Sequence, residues 1–384
     1  MRKLLASLLA VVMSVGLLSG CMTKTVSLKA NFTITSDREI SPEASALLLK
    51  LTDSLSNKVY YRVMANRQAD SGQVDMSLPE GEYDVAYVSP VEPDGSIYQV
   101  EGSEKFVADA NPDSSSSGDF SLTLTLRQPQ TVTSGELEAI IEDIKAADQE
   151  GAFAAASEWS GTTISAEETL QTVNKALEEK LQEEQNNTTA SEVYKDVLQD
   201  PKAYLPADVV SKLSSNSALT YTLVNIGEGK TPQLMLAITP HDNFGNSLSY
   251  LQVVEYDPTQ NTLQVAGGEA LSIGVAGAGG FRGSMRYNPY EKYLYHLTLS
   301  SGSGRSAINK VLLQNHAIVR ELVGEYGPTD DRPDPSEQDL DIAWYDPKDF
   351  APLEELAGKP WTYSVPDANT NTDPTKGSLG TGGF

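Results

Sequence analysis

Val26-Ser27-Leu28-Lys29-Ala30-Asn31-Phe32-Thr33-Ile34 alternates apolar and polar side chains with a period of two. Successive side chains of a strand point to opposite faces, so this stretch reads as a strand with one face buried and one face wet. The same alternation returns at Tyr83, Val85 and Tyr87, and again at Phe120, Leu122, Leu124 and Leu126. Turn chemistry separates these runs: Ala69-Asp70-Ser71-Gly72, Pro79-Glu80-Gly81, Pro93-Asp94-Gly95, and Asn111-Pro112-Asp113 before a serine run. Roughly six to eight short strands in about 100 residues predict a β-sandwich over residues 27–128.

Within that region Leu78-Pro79-Glu80-Gly81-Glu82-Tyr83-Asp84-Val85, followed by Asp94-Gly95 and Tyr98, resembles the prealbumin-like sandwiches of Cna-B and carboxypeptidase-regulatory modules. In these the Pro-x-Gly-x-Tyr turn leads into a core strand. Some Cna-B modules carry a lysine-asparagine isopeptide bond, but Asp119 to Arg127, the last strand here, has no asparagine. That bond is not expected.

After Thr133 the period becomes helical. Leu137, Ile140, Ile141 and Ile144 share one helix face, and Thr133 with Glu136 forms a capping box that satisfies amides at the helix start. Ser165 with Glu168 repeats the device before Leu170, Val173, Leu177 and Leu181, and Thr189 with Glu192 repeats it before Val193, Val197 and Leu198. Asp200-Pro201 supplies a stop. Three amphipathic helices are therefore predicted over residues 133–213, their acidic faces, such as Glu178, Glu179, Glu183 and Glu184, turned to solvent.

Strand signals return and predict a C-terminal all-β meander or propeller-like domain over residues 218–365. Short β-branched and aromatic runs at Tyr221 to Val224, Leu234 to Ile238, Tyr250 to Tyr256, Leu263 to Val265, Tyr293 to Leu299, Ile308 to Leu313 and Ile318 to Val323 carry that reading. The whole is mainly β with a helical insert. Residues 366–384 are Asn, Thr, Gly and Ser with almost no apolar side chain, the composition of a disordered tail.

Tyr221 to Leu236, with Asn225, Gly227, Gly229, Lys230 and Gln233 inside it, resembles a worn copy of the loop of FG-GAP and VCBS type β repeats over 219–325. The intact loop runs Asp-x-Asp-x-Asp-Gly-x-Pro-Glu-Leu, and its carboxylates bind calcium. Here the three aspartate positions are Asn225, Gly227 and Gly229, the glycine is Lys230 and the glutamate is Gln233. A calcium site needs oxygen ligands that balance two positive charges. With no carboxylate at those positions and a lysine beside them, no metal is expected.

The N-terminus places the chain. Arg2 and Lys3 precede an uncharged apolar run from Leu4 to Leu18, the pattern of a secretory signal over residues 1–20 and too short for a comfortable membrane span. Leu18-Ser19-Gly20-Cys21 resembles the lipobox of bacterial lipoproteins. The resemblance implies a diacylglyceryl group, with acyl chains such as palmitate, on Cys21 and a lipidated linker over residues 21–26. Two acyl chains suffice for stable anchoring, so the resemblance implies a chain held by lipid at the membrane, facing the extracytoplasmic side. Cys21 is the sole cysteine, so no disulfide or thiolate chemistry remains for the body. A formal charge of −25, more negative still once Arg2 and Lys3 leave with the signal, repels nucleic acid and anionic headgroups.

No motif here names a reaction. Gly302-Ser303-Gly304-Arg305-Ser306-Ala307 matches a dinucleotide fingerprint in letters, but Ile308, Val311, Leu312 and Leu313 continue it as a strand where a helix start is needed, so no cofactor is expected. His241, His296 and His316 stand apart without metal-ligand spacing. The acids Asp330, Asp331, Asp334, Glu337, Asp339 and Asp341 offer carboxylates for an extracellular hydrolase, but Pro328, Pro333 and Pro335 make that stretch a loop. Tyr287, Tyr290, Tyr293, Tyr295, Trp344 and Tyr345 offer a sugar- or peptide-binding face, or else a packed core. A non-enzymatic surface lipoprotein presenting its β domain to a glycan or protein partner is the leading expectation, and the hydrolase is the alternative.

Cys21→Ser is expected to block lipid transfer and lipoprotein-type cleavage. An alkyne fatty acid fed to cells should label the wild type alone; equal labelling of both proteins would overturn the anchoring.

Overall fold

The computed structural model describes residues 25–36, 40–65, 71–109, 120–127, 130–160, 165–205, 207–210, 217–240, 248–268, 271–276 and 280–363. The stretch Leu18 to Cys21, where a lipobox is expected, His241 and the tail expected over residues 366–384 lie outside them. The fold is mainly β with a helical insert, and the chain divides into two compact units, Met1–Lys180 and Leu181–Phe384.

The first unit contains eight strands: β1 (Thr25–Ser36), β2 (Leu47–Asp53), β3 (Val59–Ala65), β4 (Ser71–Pro79), β5 (Gly81–Val88), β6 (Val100–Glu101), β7 (Lys105–Ala108) and β8 (Phe120–Leu126). They form two four-stranded sheets, ordered β4-β1-β8-β6 and β3-β2-β5-β7. The β1–β8 pair is parallel and the other pairs are antiparallel. Val26, Met76, Leu78 and Leu126 of one sheet share a core with Leu47, Leu49, Leu51, Tyr83 and Phe106 of the other. Pro79-Glu80-Gly81 does lead into a core strand: Tyr83 is 1% exposed and its hydroxyl donates to the Pro79 carbonyl at 2.8 Å, which ties the strand to the turn before it.

The first half of β2, Leu47 to Leu49, is apolar and buried on both faces. Leu48, with Ala46, Val63 and Val88, packs against Leu137, Ile140, Ile141 and Ile144 of the helix Ser134–Gln149. Where the apolar run is interrupted, Lys50 reaches Asp143 of that helix at 2.7 Å, and the Tyr61 hydroxyl donates to the same carboxylate at 2.6 Å. The predicted Thr133–Glu136 capping box starts this helix, with both reciprocal bonds in place. Gly151, at φ +76°, lets a second, alanine-rich helix, Ala152–Ser160, follow; the sequence reading did not foresee it.

The helix count is corrected at Thr189. Ser165 does cap its helix, accepting from the Glu168 amide at 3.2 Å, but one helix then runs unbroken from Ala166 to Gln199. Thr189 is not a cap: its hydroxyl donates back to the Gln185 carbonyl at 3.2 Å, as Thr188 does to Glu184 at 2.8 Å. A threonine with helix before it can bond four residues back, and no Gly or Pro lies nearby to end that helix. The stop comes at Asp200-Pro201, where a 3₁₀ turn, Pro201–Tyr204, begins.

The second unit is one large sheet of β9 (Ala218–Val224), β10 (Gln233–Thr239), β11 (Ser249–Asp257), β12 (Thr262–Val265), β13 (Gly267–Gly268), β14 (Leu271–Val275), β15 (Phe281–Asn288), β16 (Tyr293–Ser300), β17 (Arg305–Gln314), β18 (Ala317–Tyr326) and β19 (Leu340–Asp341). The path β9-β10-β11-β14-β15-β16-β17-β18 is an antiparallel meander. Among the described residues it is one continuous sheet, not separate blades. β12 pairs with the same side of β11 as β14 does, and β13 pairs with β18, so the ladder runs from β11 around to β18 and back. At the closure Gly268 sits at φ +103°, where a Cβ would stand 2.7 Å from the Ile318 carbonyl oxygen, so only glycine fits. Gly302 to Gly304 belong to the turn between antiparallel β16 and β17, and a strand follows them.

Every residue of β10 is buried. Leu234, Leu236 and Ile238 join Ala190, Tyr194, Val197 and Leu198 of the long helix and Leu353 and Leu356 of the helix Ala351–Leu356. Met235 and Ala237 face the opposite core, with Leu251, Val253, Ile273, Leu294 and Val311.

His296, on β16, is 1% exposed; one ring nitrogen meets the Ser272 carbonyl at 3.0 Å and the other has no partner among the described residues. Burial depresses its pKa from 6.5 to about 4, against the hydrogen bond to Ser272. The unfolded chain therefore binds a proton first, and stability is lost as pH falls from 6.5 to about 4. The loss expected from this group is roughly 3 kcal/mol. Urea midpoints should fall more steeply with acid in the wild type than in His296→Gln; parallel falls would remove His296 as the cause.

Candidate ligand-binding site

The loop between β9 and β10 fills its own centre with protein groups. Asn225 Nδ2 donates to the carbonyls of Gly229 and Lys230 at 3.1 and 3.3 Å, and Gln233 Oε1 accepts from the Ile226 amide at 2.9 Å. Lys292 Nζ donates to the Gly229 carbonyl at 3.1 Å, and burial lowers its pKa. Asn225, Gly229 and Gln233 stand at positions where the calcium loop considered from the sequence would carry carboxylates. Among the described residues no group of three or more His, Cys, Asp or Glu side chains is arranged to hold a metal ion.

The acidic loop uses its carboxylates locally. Asp339 is 4% exposed and accepts from Asn288 Nδ2 and the Tyr293 hydroxyl, each at 3.0 Å, and from the Ser336 amide at 2.8 Å. Asp330 accepts from the Gly327 amide at 2.6 Å, and Asp341 pairs with Arg286 at 3.3 Å. Asp331, Asp334 and Glu337 point to solvent. This loop ties its own turns together and holds the end of β15.

The six aromatic residues do not form one face. Tyr287 and Trp344 are core, and Tyr293 is buried beneath the Lys310 ammonium, 4.1 Å from the ring centroid. Burial, with the hydrogen bond to Asp339 next, pushes the Tyr293 phenol up to about 12. Tyr290 is exposed in the β15–β16 turn, and Tyr295 is half-buried with its hydroxyl on the Pro333 carbonyl at 3.3 Å. Alternation along β15 and β16 sends these side chains to different sides, and a spacing in sequence does not reveal which side is covered. Tyr345 alone lies at an opening.

That opening is a cleft of about 290 Å³ in the second unit, walled by Tyr345, Trp361 and Tyr363 with Leu223, Pro352 and Pro360, and edged by the exposed Glu355 and Lys359. Trp361 and Tyr363 escaped the sequence reading. Their signal was Pro360-Trp361-Thr362-Tyr363, two aromatics one residue apart just before the polar tail.

Each wall has a structural cause. Tyr345 exchanges both backbone hydrogen bonds with Tyr221 of edge strand β9, at 2.8 and 3.0 Å, and their rings lie 5.6 Å apart. The Tyr363 hydroxyl accepts from the Ala343 amide at 2.9 Å and donates to the Asp341 carbonyl at 2.7 Å. Its ring meets buried Tyr287 edge-on at 4.8 Å, and Trp361 lies 6.1 Å from Tyr363. Burial raises the Tyr363 phenol well above the ordinary range, so it stays protonated and keeps that donor. The far rim is fixed by the long helix: Asn187 Nδ2 donates to the Lys359 carbonyl at 2.7 Å, and the Gly358 amide donates to Thr188 Oγ1 at 2.9 Å.

A wider cleft of about 590 Å³ in the first unit, lined in part by Tyr87, Glu101, Glu136 and Asp143, is less suited to a ligand. Three of its acids are engaged: Glu101 with Arg127 at 2.8 Å, Glu136 in the capping box, and Asp143 with Lys50.

No protein-family model, curated protein or solved structure matches this chain, so the meaning of the aromatic cleft rests on its own chemistry.

Tyr363→Phe keeps the ring but leaves the Ala343 amide and Asp341 carbonyl without their bridge. A loss of about 1–3 kcal/mol is expected in urea denaturation; an unchanged midpoint would mean the hydroxyl does not hold the wall.

Proposed function

We propose that this chain is a lipid-anchored cell-surface protein with a binding or structural role and no catalytic one, presenting its C-terminal β unit to a glycan or protein partner. The observation that carries the reading is the aromatic cleft. Tyr345, Trp361 and Tyr363 wall it, a carboxylate and an ammonium stand at its rim, and Asp330, Asp339 and Asp341 of the acidic loop are held in contacts with the loop and β15. Apolar walls with a few placed polar groups are what ligand recognition requires. The Leu18-Ser19-Gly20-Cys21 lipobox supports placement at the extracytoplasmic face of the membrane. Two four-stranded sheets, with Tyr83 hydrogen bonded back to Pro79, support a prealbumin-like module in the first unit. A charge of −25 favours neutral or basic partners over nucleic acid or anionic lipid.

A photo-cross-linking residue at Thr362, on the cleft rim, is expected to form adducts with an envelope component in intact cells. The same group at Lys145, on an exposed helix face of the first unit, should form none of them. Identical adduct patterns at both positions would sink the binding role of the cleft.

A further inference from the structure

We infer that the ligand of the aromatic cleft is a neutral pyranose, held as a single sugar unit or as the terminal unit of a glycan. The inference rests on the binding role proposed above and assigns its ligand class.

The argument begins with β9, the edge strand behind the cleft. Tyr221 turns its backbone N–H and C=O away from β10 to meet Tyr345, and alternation turns those of Leu223 the same way. Two residues further on, Asn225 spends its outward N–H and C=O on the Tyr287 hydroxyl, at 3.1 and 3.0 Å. Ala343, which would continue the pairing opposite Leu223, gives its amide to the Tyr363 hydroxyl instead. The open edge is therefore one residue long, closed by Tyr345 on one side and by Tyr287 on the other. A peptide adding as a strand needs several consecutive positions, so the edge cannot take one. The Leu223 carbonyl already accepts from the Thr222 hydroxyl at 3.5 Å, so the edge offers a compact ligand one backbone N–H and the second lone pair of that carbonyl.

A pyranose meets the remaining chemistry. It has a face of C–H groups, which packs on aromatic rings whose faces carry partial negative charge, and a rim of hydroxyls that both donate and accept. Trp361, Tyr363 and Tyr345 supply the rings; Glu355 is an acceptor and Lys359 a donor at the rim. The volume, about 290 Å³, lies at the lower end of the range for small-molecule sites and suits one ring better than an extended chain. The chain's charge of −25 disfavours uronic or sialic acids.

Saturation-transfer NMR on the mature full chain, with panels of neutral hexoses and N-acetylhexosamines and of acidic sugars, tests this. Transfer to neutral sugars alone is expected, with affinity about tenfold weaker in Glu355→Gln and in Trp361→Ala. Glu355 is exposed, so its variant keeps the fold and decides the matter even if Trp361→Ala misfolds. Equal transfer to acidic sugars, neutral-sugar binding unchanged in Glu355→Gln, or no transfer to any sugar each overturns the assignment. The Thr362 adducts then separate the two claims: protein adducts without sugar binding leave the binding role standing and remove only the sugar, whereas neither adducts nor sugar binding removes both.

Discussion

A strand buried on both faces cannot be left at a surface, and each unit is built around one. In the first unit Leu47, Leu49 and Leu51 point into the sandwich while Leu48 points at the helices. In the second all of β10 is covered, by helices on one side and by the curled sheet on the other. A fully buried leucine contributes roughly 1.5–3 kcal/mol relative to an exposed one. The helices are therefore obligatory outer layers: the Leu137-Ile140-Ile141-Ile144 stripe and the Ala190-Tyr194-Val197 stripe each close a core that strands alone would leave open. The cleft depends on the same constraint, because the helix Ala351–Leu356 that covers β10 also carries Glu355 to its rim.

Tyrosine hydroxyls do a second recurring task. Tyr287 bridges the N–H and C=O of Asn225, Tyr363 bridges Ala343 and Asp341, and Tyr194 donates to Pro232 while accepting from the Tyr256 amide. Each stands where a backbone ladder stops and a buried peptide group would otherwise lack a partner. Burial raises all three phenols, so they remain protonated and keep both hydrogen-bonding roles.

Local patterns in the sequence were readable where local physics decides. Alternation gave the strands, Thr133–Glu136 gave a helix start, Pro79-Glu80-Gly81 gave a turn, and Asp200-Pro201 gave a stop. Thr189 misled because a hydroxyl that caps a helix start also bonds backward inside one, and the choice depends on whether helix precedes it. The Gly267–Gly268 closure was illegible, since its partner Ala317–Ile318 lies far along the chain and glycine pairs carry no period. Of the aromatic residues named from spacing, Tyr345 alone reaches the cleft; Trp361 and Tyr363 reach it because Tyr287, far away in sequence, gives them a floor.

The parallel pairing of β1 with β8 has a mechanical consequence. β1 lies between β4 and β8, with nine paired positions toward one and seven toward the other. Chain enters at the N-terminal end of β1 and leaves at the C-terminal end of β8, which are opposite ends of one parallel ladder. Tension between those two points would load its hydrogen bonds together, in shear, and would not peel them apart one by one. A body tethered through the residues before β1 would carry drag from a moving medium through the strongest geometry its first sheet possesses.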